Sequence, residues 1–331
     1  MKKNIIKNII ALYGFSIAKI IFPLLTLPYL TRILTVDAYG VVSYVKNIMI
    51  YIQIFIDFGF MLSGTKDIVK ERNDKDKMNQ VVGDILLARI FLSMIVFVIL
   101  LGLIFLLPIL KSSMLYTILS FIPVFLSIFL FDYVFRGIEE MHVITARFVV
   151  MKGIATVLTF IVVKGNDDVL WIPSLEILGS MVAVVMVLIE LKKRGIQIKI
   201  TSIKYAYKKL AESAVYFISD MATTAFGALN TVLIGAFLSA SDVAYWDLCI
   251  SVVSAVQAMY SPINNGVYPD MVKNKDLGII KKTLKIFIPI IMLGCLITLL
   301  IAKYILWILG GPQYIPSAGL LKALVPVMLF S

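Results

Sequence analysis

The chain is poor in the residue types from which most reactive centres are built. Its 331 residues hold one histidine and two cysteines. Both cysteines, Cys249 and Cys295, lie inside apolar runs, so no disulfide framework is indicated. One histidine and two membrane cysteines cannot assemble an ordinary zinc site, and no metal is expected. No Gly-x-x-x-x-Gly-Lys-Ser/Thr loop occurs, which excludes the usual route of ATP hydrolysis. Ser16-Ile17-Ala18-Lys19 fits a Ser-x-x-Lys nucleophile pattern, but it sits within an apolar run without its companion motifs. No catalytic residue and no cofactor are expected, and the chain reads as a non-enzyme. Charge is also scarce. Charged residues make up 15% against about 25% in a soluble domain, and apolar residues 60% against about 45–50%. Mean hydropathy is +0.97. These values exclude a soluble globular enzyme and a disordered chain. The continuous apolar runs disfavour a membrane barrel, whose strands alternate apolar with polar residues.

What is present is a series of long apolar runs, each sufficient for a membrane helix. They lie at about 9–31, 38–62, 81–107, 113–135, 144–163, 169–191, 211–238, 243–268 and 284–309, with a tenth beginning near Ile315. The fold class is therefore an all-α polytopic membrane protein with about ten transmembrane helices. The positive charges orient it. Lys2, Lys3 and Lys7, then the loops after the second, fourth, sixth and eighth runs, hold 22 Lys and Arg; the opposite side holds only Arg32, Lys111, Lys164 and Lys303. This alternation places the N-terminus in the cytoplasm. It also accounts for the net charge of +11 without a nucleic-acid partner. The N-terminal lysines and apolar run resemble a signal peptide but lack a small-residue cleavage site, so the first run reads as an uncleaved helix.

The hairpin Leu34-Thr35-Val36-Asp37-Ala38-Tyr39-Gly40 has a counterpart in Leu238-Ser239-Ala240-Ser241-Asp242-Val243-Ala244-Tyr245. This parallel repeat suggests a two-lobed transporter. Residues 1–191 would form an N-terminal lobe, 192–210 a basic cytoplasmic linker, and 211–331 a C-terminal lobe. Equal lobes need six helices each, so the chain is expected to be incomplete at its C-terminus, although a natural ten-helix protein is an alternative.

Ionisable groups within a span are costly, about 2.5–3.5 kcal/mol at the centre, and default to function. Lys19, Lys46, Arg89 and Lys152 all lie in the first lobe. Lys19 and Lys46 lie deepest, and each would line a hydrated cationic cavity or form a buried ion pair. Asp132 and Arg136 are four apart and would pair on one helix face. Asp57, Asp84 and Glu190 lie near span ends, where snorkelling to water is expected. Asp220 and Asp247 in the second lobe are candidates for coupling to an H⁺ or Na⁺ gradient.

Leu30-Thr31-Arg32-Ile33-Leu34 leading to Tyr39-Gly40 resembles the first hairpin of bacterial polysaccharide flippases of the Wzx type. Asp57-Phe58-Gly59-Phe60 with Ser63-Gly64-Thr65-Lys66-Asp67-Ile68 and Arg72-Asn73-Asp74 is similar to that family's second helix and following loop. Phe135-Arg136-Gly137-Ile138-Glu139-Glu140-Met141 followed by Ala146-Arg147, Asn230 with Leu233-Ile234-Gly235, Tyr268-Pro269 with Met271, and Tyr314 before Leu321 and Pro326 extend the resemblance along the chain. It implies the two-lobed, MATE-like fold of the multidrug and toxin extrusion transporters and the lipid II flippase, usually with twelve to fourteen helices. It also implies an inner-membrane flippase that moves undecaprenyl-pyrophosphate-linked oligosaccharides by alternating access, for O-antigen, capsule or related surface polymers. Membrane lipids, a polysaccharide polymerase and chain-length machinery are the implied partners. Lys19, Arg32, Lys46, Arg89 and Lys152 would then form a cationic cavity for the substrate phosphates. A cation-coupled drug exporter of the same fold is the alternative.

Overall fold

A backbone surrounded by hydrocarbon must satisfy its own hydrogen bonds, and helices do this within a single segment. The computed structural model is helical throughout, with no strand among the described residues. It describes the backbone of residues 2–274 and 277–329; the side chains of residues 2–7, 9, 223–228, 258–288, 290, 291 and 329 lie outside the described residues. The expected cytoplasmic lysines Lys2, Lys3, Lys7, Lys273, Lys275, Lys281, Lys282 and Lys285, and the Tyr268-Pro269-Met271 motif, fall in that part. In chain order the helices are α1 (Lys2–Ile33), α2 (Val36–Asp57), α3 (Phe60–Glu71), α4 (Lys75–Leu106), α5 (Pro108–Ser112), α6 (Met114–Leu126) and α7 (Asp132–Gly137). They continue as α8 (Met141–Val162), α9 (Trp171–Lys193), α10 (Ile203–Phe237), α11 (Ala240–Asn274), α12 (Leu277–Gly310) and α13 (Ala318–Leu324). Seven helical stretches among the described residues are long and apolar enough to cross a membrane.

Three expected spans are interrupted. The second breaks at Phe58 and Gly59, both left-handed with φ of 42° and 72°. A side chain at Gly59 would lie 2.6 Å from the Phe217 backbone nitrogen, so the break also lets α10 approach closely. The fourth breaks after Pro123, passes through a 3₁₀ segment at Ser127–Leu130, and restarts beyond left-handed Phe131. The run after Ile315 forms only α13 between 3₁₀ segments, because Pro316 and Pro326 cannot supply helix donors.

The chain divides into two compact units: Met1–Thr26 with Val41–Ser239, and Leu27–Gly40 with Ala240–Ser331. In the first unit α8 packs on α9, α6 on α9, α3 on α7, and α10 on α4. Ile56, Phe60, Ile68, Ile85, Phe131 and Phe135 are fully buried there. Residues 196–202, expected as part of a linker, form an extended strap on α4. Asn79 Oδ1 accepts from Gln197 N at 2.9 Å, and its carbonyl accepts from Lys199 N at 3.2 Å. Asp84 accepts from Thr201 N at 3.0 Å and from Thr201 Oγ1 at 2.6 Å. Asp84 is therefore a buried anchor and does not snorkel to water. Past the strap, burial alone would depress the Lys209 ammonium, but its bonds to Asp67 and Glu212 outweigh burial and hold it above the usual lysine range.

In the second unit the hairpin Leu27–Gly40 covers the end of α12. Its carbonyls there have no intrahelical partner, and two side chains supply one: Thr31 Oγ1 donates to Leu309 O at 2.7 Å and Arg32 Nη2 to Ile308 O at 2.6 Å. Gln313 Nε2 donates back to Thr31 O at 2.5 Å. The two hairpins of the repeat meet within this unit, where Ser241 Oγ donates to Asp37.

The strap sets a steric test. A side chain at Gly83 would lie 2.3 Å from Lys199 O, whereas one at Gly102, on the same helix, meets nothing within 4 Å. Overpacking of this kind costs about 1–3 kcal/mol. Gly83→Ala should lower the melting temperature of the detergent-purified protein, and Gly102→Ala should leave it unchanged or slightly raised. Thermal unfolding of both variants beside the wild type is the measurement; equal melting temperatures would mean that the strap yields.

Candidate functional site

The α2, α6, α8 and α9 segments line an open cavity of about 350 Å³ in the first unit. One face of α2 supplies Lys46, Met49, Ile50 and Gln53, which recur at helical spacing. From α6 come Tyr116, Ser120 and Pro123, and the 3₁₀ turn that follows this helix brings Ser127 into the wall. From α8 and α9 come Lys152, Glu176 and Ser180. The lining is thus partly apolar, with hydroxyl and amide groups around three charges.

The three charges are unequally placed. Lys152 Nζ donates to Glu176 Oε1 at 2.8 Å. Lys46 makes no ion pair among the described residues, although Glu176 lies within its electrostatic reach. Two lysines against one glutamate leave the cavity one positive charge in excess. Below it lies a second chamber of about 70 Å³, at the level of the two helix breaks, which shares Gln53, Ser127 and Leu130 with the first. Gln53 Nε2 joins them, donating to Asp57 Oδ2 at 2.8 Å and to Ser127 Oγ at 3.0 Å.

Arg89 lines this smaller chamber, but its charge is already engaged. Nη2 donates to Asp57 Oδ1 at 2.5 Å and Nη1 to Ile128 O at 3.1 Å, in a side chain only 7% exposed. Asp132 pairs with Arg147 of α8, whose Nε donates to Oδ1 at 3.0 Å, and not with Arg136 as its helical spacing suggests. The reason is burial: Arg147 is 3% exposed, and an unpaired guanidinium there would be strongly destabilising. Asp57 is paired too, although its side chain remains 38% exposed.

The remaining sequence candidates lie elsewhere. Lys19 is exposed on α1, with Nζ 4.9 Å from the Phe15 ring centroid. Asp220 is half-buried on α10 and feels the charge of Asp57. Arg32 and Asp247 belong to the second unit, where Asp247 accepts from Tyr39 Oη at 2.7 Å. Lys46 and Lys152 therefore share one cavity, Arg89 lies beside it, and the other four are not part of it. Sequence reading passed over Gln53, Ser127 and Tyr116. Gln53 could have been noticed, since an amide within an apolar span needs partners.

A family model described as "Polysaccharide biosynthesis protein" matches residues 5–275. A protein of Escherichia coli K12 named for O-antigen transport is 26% identical over 334 residues, covering 98% of this chain and 80% of that protein. A similarly named protein of Shigella dysenteriae is 24% identical over 81% of this chain and 67% of its own length. Among solved structures, an inward-facing MATE family multidrug resistance transporter of the MOP superfamily superposes with a TM-score of 0.69 at 15% identity, over 96% of this chain and 81% of that one. A MATE protein in complex with MaL6 gives a TM-score of 0.57 at 16% identity, over 95% and 77%. These structures establish a MATE-like fold.

Paired and unpaired cations should respond differently to truncation. Arg147→Ala leaves the Asp132 carboxylate without its partner, at a cost of about 3–5 kcal/mol, and should sharply reduce the folded protein recovered from membranes. Lys46→Ala breaks no ion pair and should leave recovery near wild type. Fluorescence-detected size-exclusion of both variants provides the comparison, and equal losses would show that Lys46 is structural.

Proposed function

We propose that this chain, which belongs to the polysaccharide biosynthesis protein family, is a flippase that carries undecaprenyl-pyrophosphate-linked oligosaccharide units across the bacterial plasma membrane by alternating access. It is a multi-pass membrane transporter and not an enzyme. The finer reading rests on one observation: the first-unit cavity has an excess positive charge, carried by a lysine with no ion-pair partner among the described residues. The substrate head combines a pyrophosphate with a glycan. It loses most of its hydration on leaving water, and an unpaired ammonium beside hydroxyl and amide donors replaces part of what is lost. Lys46 meets the phosphates, Lys152 adds charge when its bond to Glu176 loosens, and Ser120, Ser180 and Gln53 offer hydrogen bonds to the sugar. The prenyl tail stays in lipid. The names of the curated relatives support O-antigen as the polymer class. The polymerase and chain-length proteins of such a pathway are the expected neighbours, and the charge asymmetry supports a cytoplasmic N-terminus.

The test measures export and abundance together. A hydrogen bond to a charged group contributes about 1.5–3 kcal/mol, so Lys46→Ala should reduce export in a flippase-deficient cell roughly tenfold or more at unchanged membrane abundance. Lys46→Arg should retain part of the activity, because the charge persists while the donor geometry changes. Wild-type export by the alanine variant would remove Lys46 from the substrate path.

A further inference from the structure

Among the described residues, Glu176 is the only carboxylate lining the larger cavity, and every charged group facing it there is a cation. From α8, Lys152 donates to it at 2.8 Å. From α2, Lys46 lies within electrostatic reach. Tyr116 and Ser120 face it from α6, and Ser127 from the 3₁₀ segment, all neutral. Ionised, Glu176 cancels one lysine and occupies the ammonium of Lys152. Protonated, it does neither, and the excess lining charge rises from one to two. An anion entering the cavity therefore meets a stronger field and a freed donor when Glu176 carries a proton.

We infer that Glu176 is the proton-linked element of this site, and that a proton and an anionic head group bind the cavity together, not in competition. The inference rests on the anion-binding reading above and adds its sign. Binding couplings are reciprocal: if protonation strengthens anion binding, the bound anion strengthens protonation by the same factor. Affinity rises as pH falls, by at most about tenfold per pH unit for one linked proton. In a competitive antiport site, protonation would eject the ligand; here it retains it. Neither Asp220 nor Asp247 lines this cavity, so neither can perform this role directly.

The experiment uses the full chain purified in detergent and glucose 6-sulfate as probe, whose sulfate ester keeps one negative charge throughout. Isothermal titration from about pH 7 to about pH 3.5, in buffers of different ionisation enthalpy, spans ordinary carboxyl ionisation and the range just below it. The wild type should bind about fivefold or more tightly at the acid end, the lower range of measured couplings, and should take up protons on binding. Glu176→Gln should bind at the wild type's acid-end affinity across the range, with no proton uptake. The inference fails if the glutamine variant keeps the wild-type pH dependence, if the wild type takes up no proton, or if it binds no probe at any pH. If Glu176→Gln does not fold, the wild-type proton count decides alone. Flipping of a lipid-linked oligosaccharide in proteoliposomes is measured separately. Flipping without proton-linked binding overturns the linkage alone; linked binding without flipping overturns the proposed transport alone.

Discussion

A charge within hydrocarbon must have a counter-charge or water, and this requirement organises the first unit. Arg147 meets Asp132, Arg89 meets Asp57, and Lys152 meets Glu176. Each pair joins different helices, so the pairs fix how α2, α4, α7, α8 and α9 pack as well as neutralising charge. The pairs differ in exposure. The Arg147 side chain is 4% exposed and the Lys152 side chain 36%. Burial thus separates a structural pair from one that faces a cavity and can exchange partners. Lys46, outside this pairing, is the cation for which an incoming anion offers most.

The helix breaks follow from the same requirement. Unwound backbone is tolerated in a membrane protein where it is enclosed by protein or lines a cavity. Both breaks in the first unit, at Phe58–Gly59 and at Ser127–Phe131, border the smaller chamber, and polar side chains meet there. Arg89 donates to Ile128 O within the 3₁₀ segment, so one guanidinium satisfies a carbonyl that the α-helical ladder no longer serves, as well as Asp57. The break and the ion pair are one device. Gln53 extends it to the larger cavity through its bonds to Asp57 and Ser127, giving a continuous polar wall.

Much of this was legible from residues alone, and what was not has identifiable causes. Apolar length places the spans closely: the run 144–163 is α8 at Met141–Val162, and the run 81–107 is most of α4 at Lys75–Leu106. Length cannot reveal the break at Phe131, because a left-handed phenylalanine has no local signature; tertiary packing imposes it. The strap escaped notice for a related reason. Its anchors, Asn79 and Asp84, are more than 100 residues away in sequence, and an acidic group near a span end reads equally well as snorkelling. Composition treats Lys46 and Arg89 alike, as intramembrane cations of one lobe. Only the position of Asp57 separates the neutralised one from the available one.

The sign of the charge also bears on the choice between an anionic substrate and a drug cation. A fold shared with multidrug transporters leaves both open, since fold does not determine function. The cavity is more discriminating. A cationic drug would approach two lysines, and the carboxylate that could receive it already holds Lys152. It would have to break that bond and leave an ammonium without its counter-charge, an unfavourable exchange. An anion makes the opposite exchange, taking Lys46 without breaking anything and then competing with Glu176 for Lys152. Once the carboxylate is protonated, that competition ends in the anion's favour. The two lysines therefore disfavour the cation in either state of Glu176, and they favour the anion most when that carboxyl is neutral.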